Sequence, residues 1–239
     1  MAPARPWLIL ALAGGCLIPT ACGAAASHSI PPRTLPTSST VAAAPARPQP
    51  PHHRNRHHEP APNPGTLPQT SQRPSSSTRP FGAEMAALWR AIRTDAPGAG
   101  RRAFFPEAAY VQVKAIADPR SDYRGRLLAD YSLDIGAAHA LLGAGAPRAR
   151  LIAVEVPAAY AHWVPPGACY NRVGYYEVPN SRLLYRSGGA VRSLGIASMI
   201  SWRGVWYVVH LGAVTRQAAT GLVDDPSDGP GEPVPSSTC

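Results

Sequence analysis

The chain has 239 residues, enough for one ordinary domain plus accessory segments, but its 28 prolines and 21 glycines exclude a uniformly globular sequence. Its formal net charge is +9, and all but one of its 23 cationic residues are arginine. With the heavy Ala, Gly and Pro usage this is a GC-rich composition, so basicity alone does not specify a nucleic-acid partner.

The first residues predict an export signal over 1–22. Arg5 supplies the positive start, and the apolar stretch from Trp7 to Ile18 falls short of the roughly 20 residues that span a bilayer. Small residues then surround cysteine, as in a bacterial lipobox. Cys22, in Thr20-Ala21-Cys22-Gly23, is the favoured lipidation site and Cys16, after Ala13-Gly14-Gly15, the alternative. Ordinary cleavage near Ala24-Ala25-Ala26, without lipid, is the third possibility. Cleavage at Cys22 leaves Cys169 and Cys239, which an oxidising compartment allows to pair; two free thiols are the alternative.

Residues 23–82 hold almost no aliphatic or aromatic side chains. Such a stretch cannot bury enough apolar surface to offset its ordering entropy, which predicts a disordered, proline-stiffened linker. His52, His53, His57 and His58 lie within it among arginines, and an incidental tract is the preferred reading over a metal site.

An α+β domain is expected over 83–223. Met85, Leu88, Trp89 and Ile92 fall on one helical stripe. Pro106 and Glu107 open a second helix that continues through Tyr110 and Val113 and stops at Asp118-Pro119. Tyr123, Leu127 and Tyr131 suggest a third. A fourth, capped by Ser132 or Asp134, carries Ile135, Ala138 and Leu142 and stops at Gly143.

The periodicity then turns strand-like. Leu151 to Val156 is one strand, and Tyr175–Val178 and Arg182–Tyr185 read as a hairpin about Pro179-Asn180-Ser181. Val191–Trp202 and Val205–Leu211 form a second hairpin whose two-residue turn, Arg203-Gly204, pairs Trp202 with Val205 and Ile200 with Tyr207. Strict alternation then puts Ser198, Ile200, Tyr207 and Val209 on one face, and Met199, Ser201, Trp206, Val208 and His210 on the other. Residues 224–239 are acidic and read as a solvated tail.

Helices followed by an antiparallel sheet ending in Ser201-Trp202-Arg203-Gly204-Val205-Trp206-Tyr207-Val208-Val209-His210-Leu211 resemble the cone-shaped α+β fold of the nuclear transport factor 2-like (NTF2-like, cystatin-like) superfamily, in which N-terminal helices pack on a curved antiparallel sheet. The chain is also similar to exported lipoproteins of high-GC Gram-positive bacteria. The superfamily holds isomerases, dehydratases and many non-catalytic binders, so the resemblance implies a fold and leaves the function open.

No Gly-rich phosphate loop, Cys-x-x-Cys, His-Glu-x-x-His or Gly-x-Ser-x-Gly elbow is present. His139, near an apolar helix stripe, reads as structural, and His162 beside Trp163 as a loop residue. Small neighbours leave room around His210, which makes Trp206, His210, Met199 and Ser201 the candidate ligand-binding group, with His210 the one catalytic candidate. No cofactor and no metal is expected. The expected partners are a membrane, reached through the lipid, and a small apolar ligand or an envelope protein, and the expected location is the outer face of the cell membrane. The alternatives are an acid–base enzyme of the same fold and a basic module, built on Arg90, Arg93, Arg101 and Arg102, that binds anionic cell-wall or membrane polymers. No motif points to specific nucleic acid.

Overall fold

The computed structural model describes residues 63–233; the signal, the cysteines at 16, 22 and 239, and the histidine tract lie outside the described residues. Thr78 caps the first helix, α1 (Arg79–Thr94), its hydroxyl accepting from the Phe81 amide, and Asp95 closes it in the left-handed conformation. The apolar stripe of α1 is buried through Phe81, Met85, Leu88, Trp89 and Ile92. A 3₁₀ stretch, Pro97–Ala103, leads to α2 (Glu107–Val113).

Part of the stretch assigned to the linker is packed, which moves the start of the ordered body ahead of residue 83. Trp202 Nε1 donates to the Pro64 carbonyl at 2.9 Å, and Gln69 bridges the Ser201 carbonyl and the Arg203 amide at the tip of a hairpin. Gly65 is needed there, because a Cβ on it would stand 2.8 Å from the Pro106 Cβ.

The two helices expected about Tyr131 are one run. Asp118 caps α3 (Pro119–Asp122), a π-turn (Tyr123–Leu127) follows, and α4 (Leu128–Leu142) continues without a break. Ser132 and Asp134 therefore lie inside a helix and cap nothing. The Asp134 carboxylate instead accepts from the Gly212 and Leu222 amides and takes both terminal nitrogens of Arg216, at 2.9–3.0 Å. Four hydrogen bonds converge on this carboxylate, which explains why Asp134 can be only 1% exposed. It ties the 211–222 loop to α4.

The sheet is antiparallel and curved, and its main path runs β1 (Arg150–Glu155), β3 (Tyr175–Ser187), β4 (Ala190–Trp202), β5 (Val205–His210); β2 (His162–Val164) also pairs with β3. The hairpin expected about Pro179-Asn180-Ser181 does not exist. β3 runs straight through it, and the turn into β4 is Gly188-Gly189, both with positive φ. Proline is tolerated because β2 ends its pairing at Glu177 and β1 begins at Arg182, so that edge of β3 has no partner strand beside Pro179. Pro-Asn-Ser is turn chemistry in either setting, so these residues alone do not separate a kinked strand from a turn; Asn180 indeed adopts φ +50°.

The β4–β5 hairpin has the expected register at its tip, Trp202 against Val205 and Ile200 against Tyr207, and Arg203 and Gly204 both take positive φ. Beyond Met199–Val208 the ladder slips by one, and His210 lies opposite Ser198. Val209 is the extra residue of a β-bulge. The segment expected as a free acidic tail docks onto the outer edge of β4: Ser193 and Ser227 exchange backbone hydrogen bonds, the Gly195 amide donates to Asp224, and buried Arg182 pairs with Asp225.

Candidate functional site

The bulge decides which side chains meet. A one-residue slip reverses the facing of everything beyond it, so His210 leaves the face of Trp206, Met199 and Ser201 and joins that of Ser198, Ile200 and Tyr207. The expected foursome is therefore split. Met199, Ser201 and Trp206 are buried in a packed layer. The Tyr176 amide donates to Ser201 Oγ, Arg73 stacks over the Tyr176 ring, and Trp206 borders only a 170 Å³ crevice under Arg73–Ser76 and the β1–β2 connection.

His210 instead lines a cavity of about 230 Å³ between helices and sheet. α2 and its end contribute Tyr110 and Lys114, the π-turn Arg126 and Leu127, β3 Tyr175 and Glu177, and β4 Ser198 and Ile200. Exposed Tyr170 and Val214 belong to the same lining, beside Cys169 and Val209. Lys114 is the only lysine in the chain. α2 stops at Val113, and Lys114 bridges to Asn171, with its Nζ donating to the Cys169 carbonyl. Cys169 is itself disulfide-bonded; the expected partner, Cys239, lies outside the described residues.

The electrostatics of the cavity are uneven. Arg126 grips Asp122 with two hydrogen bonds of 2.7 Å, and Tyr110 donates its hydroxyl proton to the same carboxylate, so the guanidinium is held in place. The bonds from Arg126 hold the Asp122 carboxyl below its ordinary range. Across the cavity Glu177 is buried, 6% exposed, and accepts from Ser198 Oγ at 2.8 Å. Burial lowers the Lys114 amine, with Glu177 pulling it back up. Burial also lowers His210 to about 4, helped by the positive charges of Arg126, Lys114 and Arg216. At neutral pH the wall thus presents a neutral imidazole beside the Ser198 hydroxyl, the Lys114 amine, the Arg126 guanidinium and the buried Glu177 carboxyl, with aliphatic Leu127, Ile200 and Val209.

Among the charged and titratable residues of this wall, only His210 is a candidate from the sequence. Lys114 carries a signal as a lone lysine among arginines, and Glu177 as an acid two residues from Tyr175 in the first half of β3; Arg126 carries none. His139 is structural, its Nδ1 hydrogen-bonded with the Ile92 carbonyl, and His162 is exposed in β2. Among the described residues no group of three or more His, Cys, Asp or Glu is placed to hold a metal ion. Compared with known proteins, the chain matches no protein-family profile, no curated protein and no solved structure.

Proposed function

We propose that the domain is a non-catalytic binding module of an exported, lipid-anchored envelope protein, with an NTF2-like arrangement of helices over a curved sheet. Its cavity takes a small molecule with an aliphatic body and one acidic group. The observation that carries this is that Lys114 and Arg126 line one cavity together with Leu127, Ile200 and Val209; of the charged groups there, Arg126 is paired with Asp122, and buried Glu177 stands across from Lys114. A mostly apolar enclosure with a few oriented polar groups is the usual lining of a small-ligand site. The acid–base alternative is weakened by His210: a general base works best with a pKa near the operating pH, and about 4 is far below it. The polymer-binding alternative finds two of its four arginines in internal contacts: Arg93 donates to the Ala146 and Pro147 carbonyls and Arg101 lies over the Tyr123 ring, while Arg90 and Arg102 are exposed.

The test is a thermal-shift series of straight-chain carboxylates from butyrate to octanoate. At least one should raise the Tm of the parent and leave Lys114→Met unmoved; a series that shifts neither protein, or both alike, refutes the reading. Anchoring is tested separately. Cys22→Ala should release the protein from the membrane fraction, whereas Cys16→Ala should not. A double variant that stays membrane-bound, with no lipid found by metabolic labelling, removes the anchor.

A further inference from the structure

A second cavity, of about 440 Å³, opens where α1, the Pro97–Ala103 stretch and the Asn63–Pro64 segment meet, and it shares no lining residue with the first. Its wall includes Glu84, Arg101, Arg102, Phe104, Tyr123 and Tyr207. Glu84 is 6% exposed, and its Oε2 is buried without a hydrogen-bond partner. It shares this with Asp224 Oδ2 but not with Asp134 or Glu177. Asp134 is saturated by amides and Arg216, and Glu177 takes the Ser198 hydroxyl. A buried polar oxygen left unmatched is costly, so one on a carboxyl that lines a cavity marks where a complementary group fits.

The charges around Glu84 say which group. Burial pushes its carboxyl up to about 8, with Arg102 pulling the other way, so at neutral pH it holds its proton and can donate. The other titratable groups on the wall are Arg101, Arg102, Glu107, Tyr123 and Tyr207, and Glu107 is already paired with Arg120 and Arg124. Two guanidinium groups oppose a cation there and favour an oxyanion, which can accept from both an arginine and a carboxylic acid. Phe104, Tyr123 and Tyr207 supply flat apolar faces, and Pro64 and Pro106 close the remaining sides.

We propose that this cavity binds a small aromatic carboxylate, its oxygens held by Arg102 and the Glu84 carboxyl and its ring lying among Phe104, Tyr123 and Tyr207. The site is independent of the first cavity and of whatever occupies it.

Calorimetry on the full chain with benzoate, acetate and benzyl alcohol tests it. Benzoate should bind at least about tenfold more tightly than either fragment, since only benzoate offers both ring and oxyanion. Because the ligand needs the proton on Glu84 and its own carboxylate ionised, affinity should be flat between about pH 5.5 and pH 7 and fall by up to about tenfold per pH unit above about pH 8. Glu84→Gln, which keeps a donor, should bind with that fall removed, and exposed Arg102→Gln should weaken binding at least about tenfold. Absence of binding at millimolar benzoate overturns the proposal, as does a pH profile unchanged in Glu84→Gln. Loss of benzoate binding in Lys114→Met with Arg102→Gln unaffected also overturns it, because the ligand would then sit in the first cavity.

Discussion

The two faces of the β4–β5 hairpin are built from nearly the same residue types and do opposite things. On one, Met199, Ser201, Trp206 and Val208 are buried, Trp206 beside Arg73–Ser76 and the β1–β2 connection, and the single hydroxyl is used by a neighbouring backbone amide. On the other, Ser198, Ile200 and His210 share space with Lys114, Arg126 and Glu177. The packed face satisfies its polar atoms internally, while the cavity face gathers charges that a core would not accept. Composition along the strands does not distinguish them. What distinguishes them is what borders each: Arg73–Ser76 at Trp206 on one, and on the other a cavity lined from α2 and the π-turn by Tyr110, Arg126 and Leu127.

The largest expected effect breaks the packed face. Trp206→Ala removes a side chain that is 2% exposed and should destabilise the fold by about 3–5 kcal/mol, the usual range for a buried aromatic. Chemical denaturation measures it. A loss below about 1 kcal/mol would mean that the roof over Trp206 is loose and that the two faces do not differ as described.

This contrast also marks what the sequence could show. The tip of the hairpin was legible because Arg203-Gly204 is a two-residue turn, and a turn of that length fixes the register of the strands it joins. The bulge was not, because Val208 and Val209 are interchangeable apolar residues and both faces are buried, so no polar residue marks the slip. Strict alternation puts His210 on the face of Trp206, and the bulge turns it to that of Ser198. Similarly, the apolar stripe of α1 was readable from spacing alone. The role of Asp134 was not, since its partners Gly212, Arg216 and Leu222 lie about 80 residues further along the chain. Long-range polar clamps and bulges leave no periodic trace. Caps and turns do.

The smaller effect probes the cavity face, and its sign depends on pH. The His210 imidazole is held near 4 against an ordinary 6.5, so between those values the unfolded chain binds more protons than the folded one. Stability from this residue is therefore complete above pH 6.5 and is lost as the pH falls towards 4. The full shift corresponds to at most about 3 kcal/mol, and less in practice because part of the ring is reached by solvent. At pH 7 the same side chain contributes little beyond one hydrogen bond with the Ala213 backbone, so His210→Ala should cost only about 1 kcal/mol there. The variant and the parent should then converge on acidification, and at pH 4.5 the variant should be at least as stable. Glu84 and Asp224 titrate with the opposite sense, since burial raises both, to about 8 and about 6; taking the difference between the two proteins at each pH removes them. A gap of 3 kcal/mol at pH 7 that persists unchanged to pH 4.5 would make His210 a packing residue like Trp206, and the distinction between the two faces would fall with it.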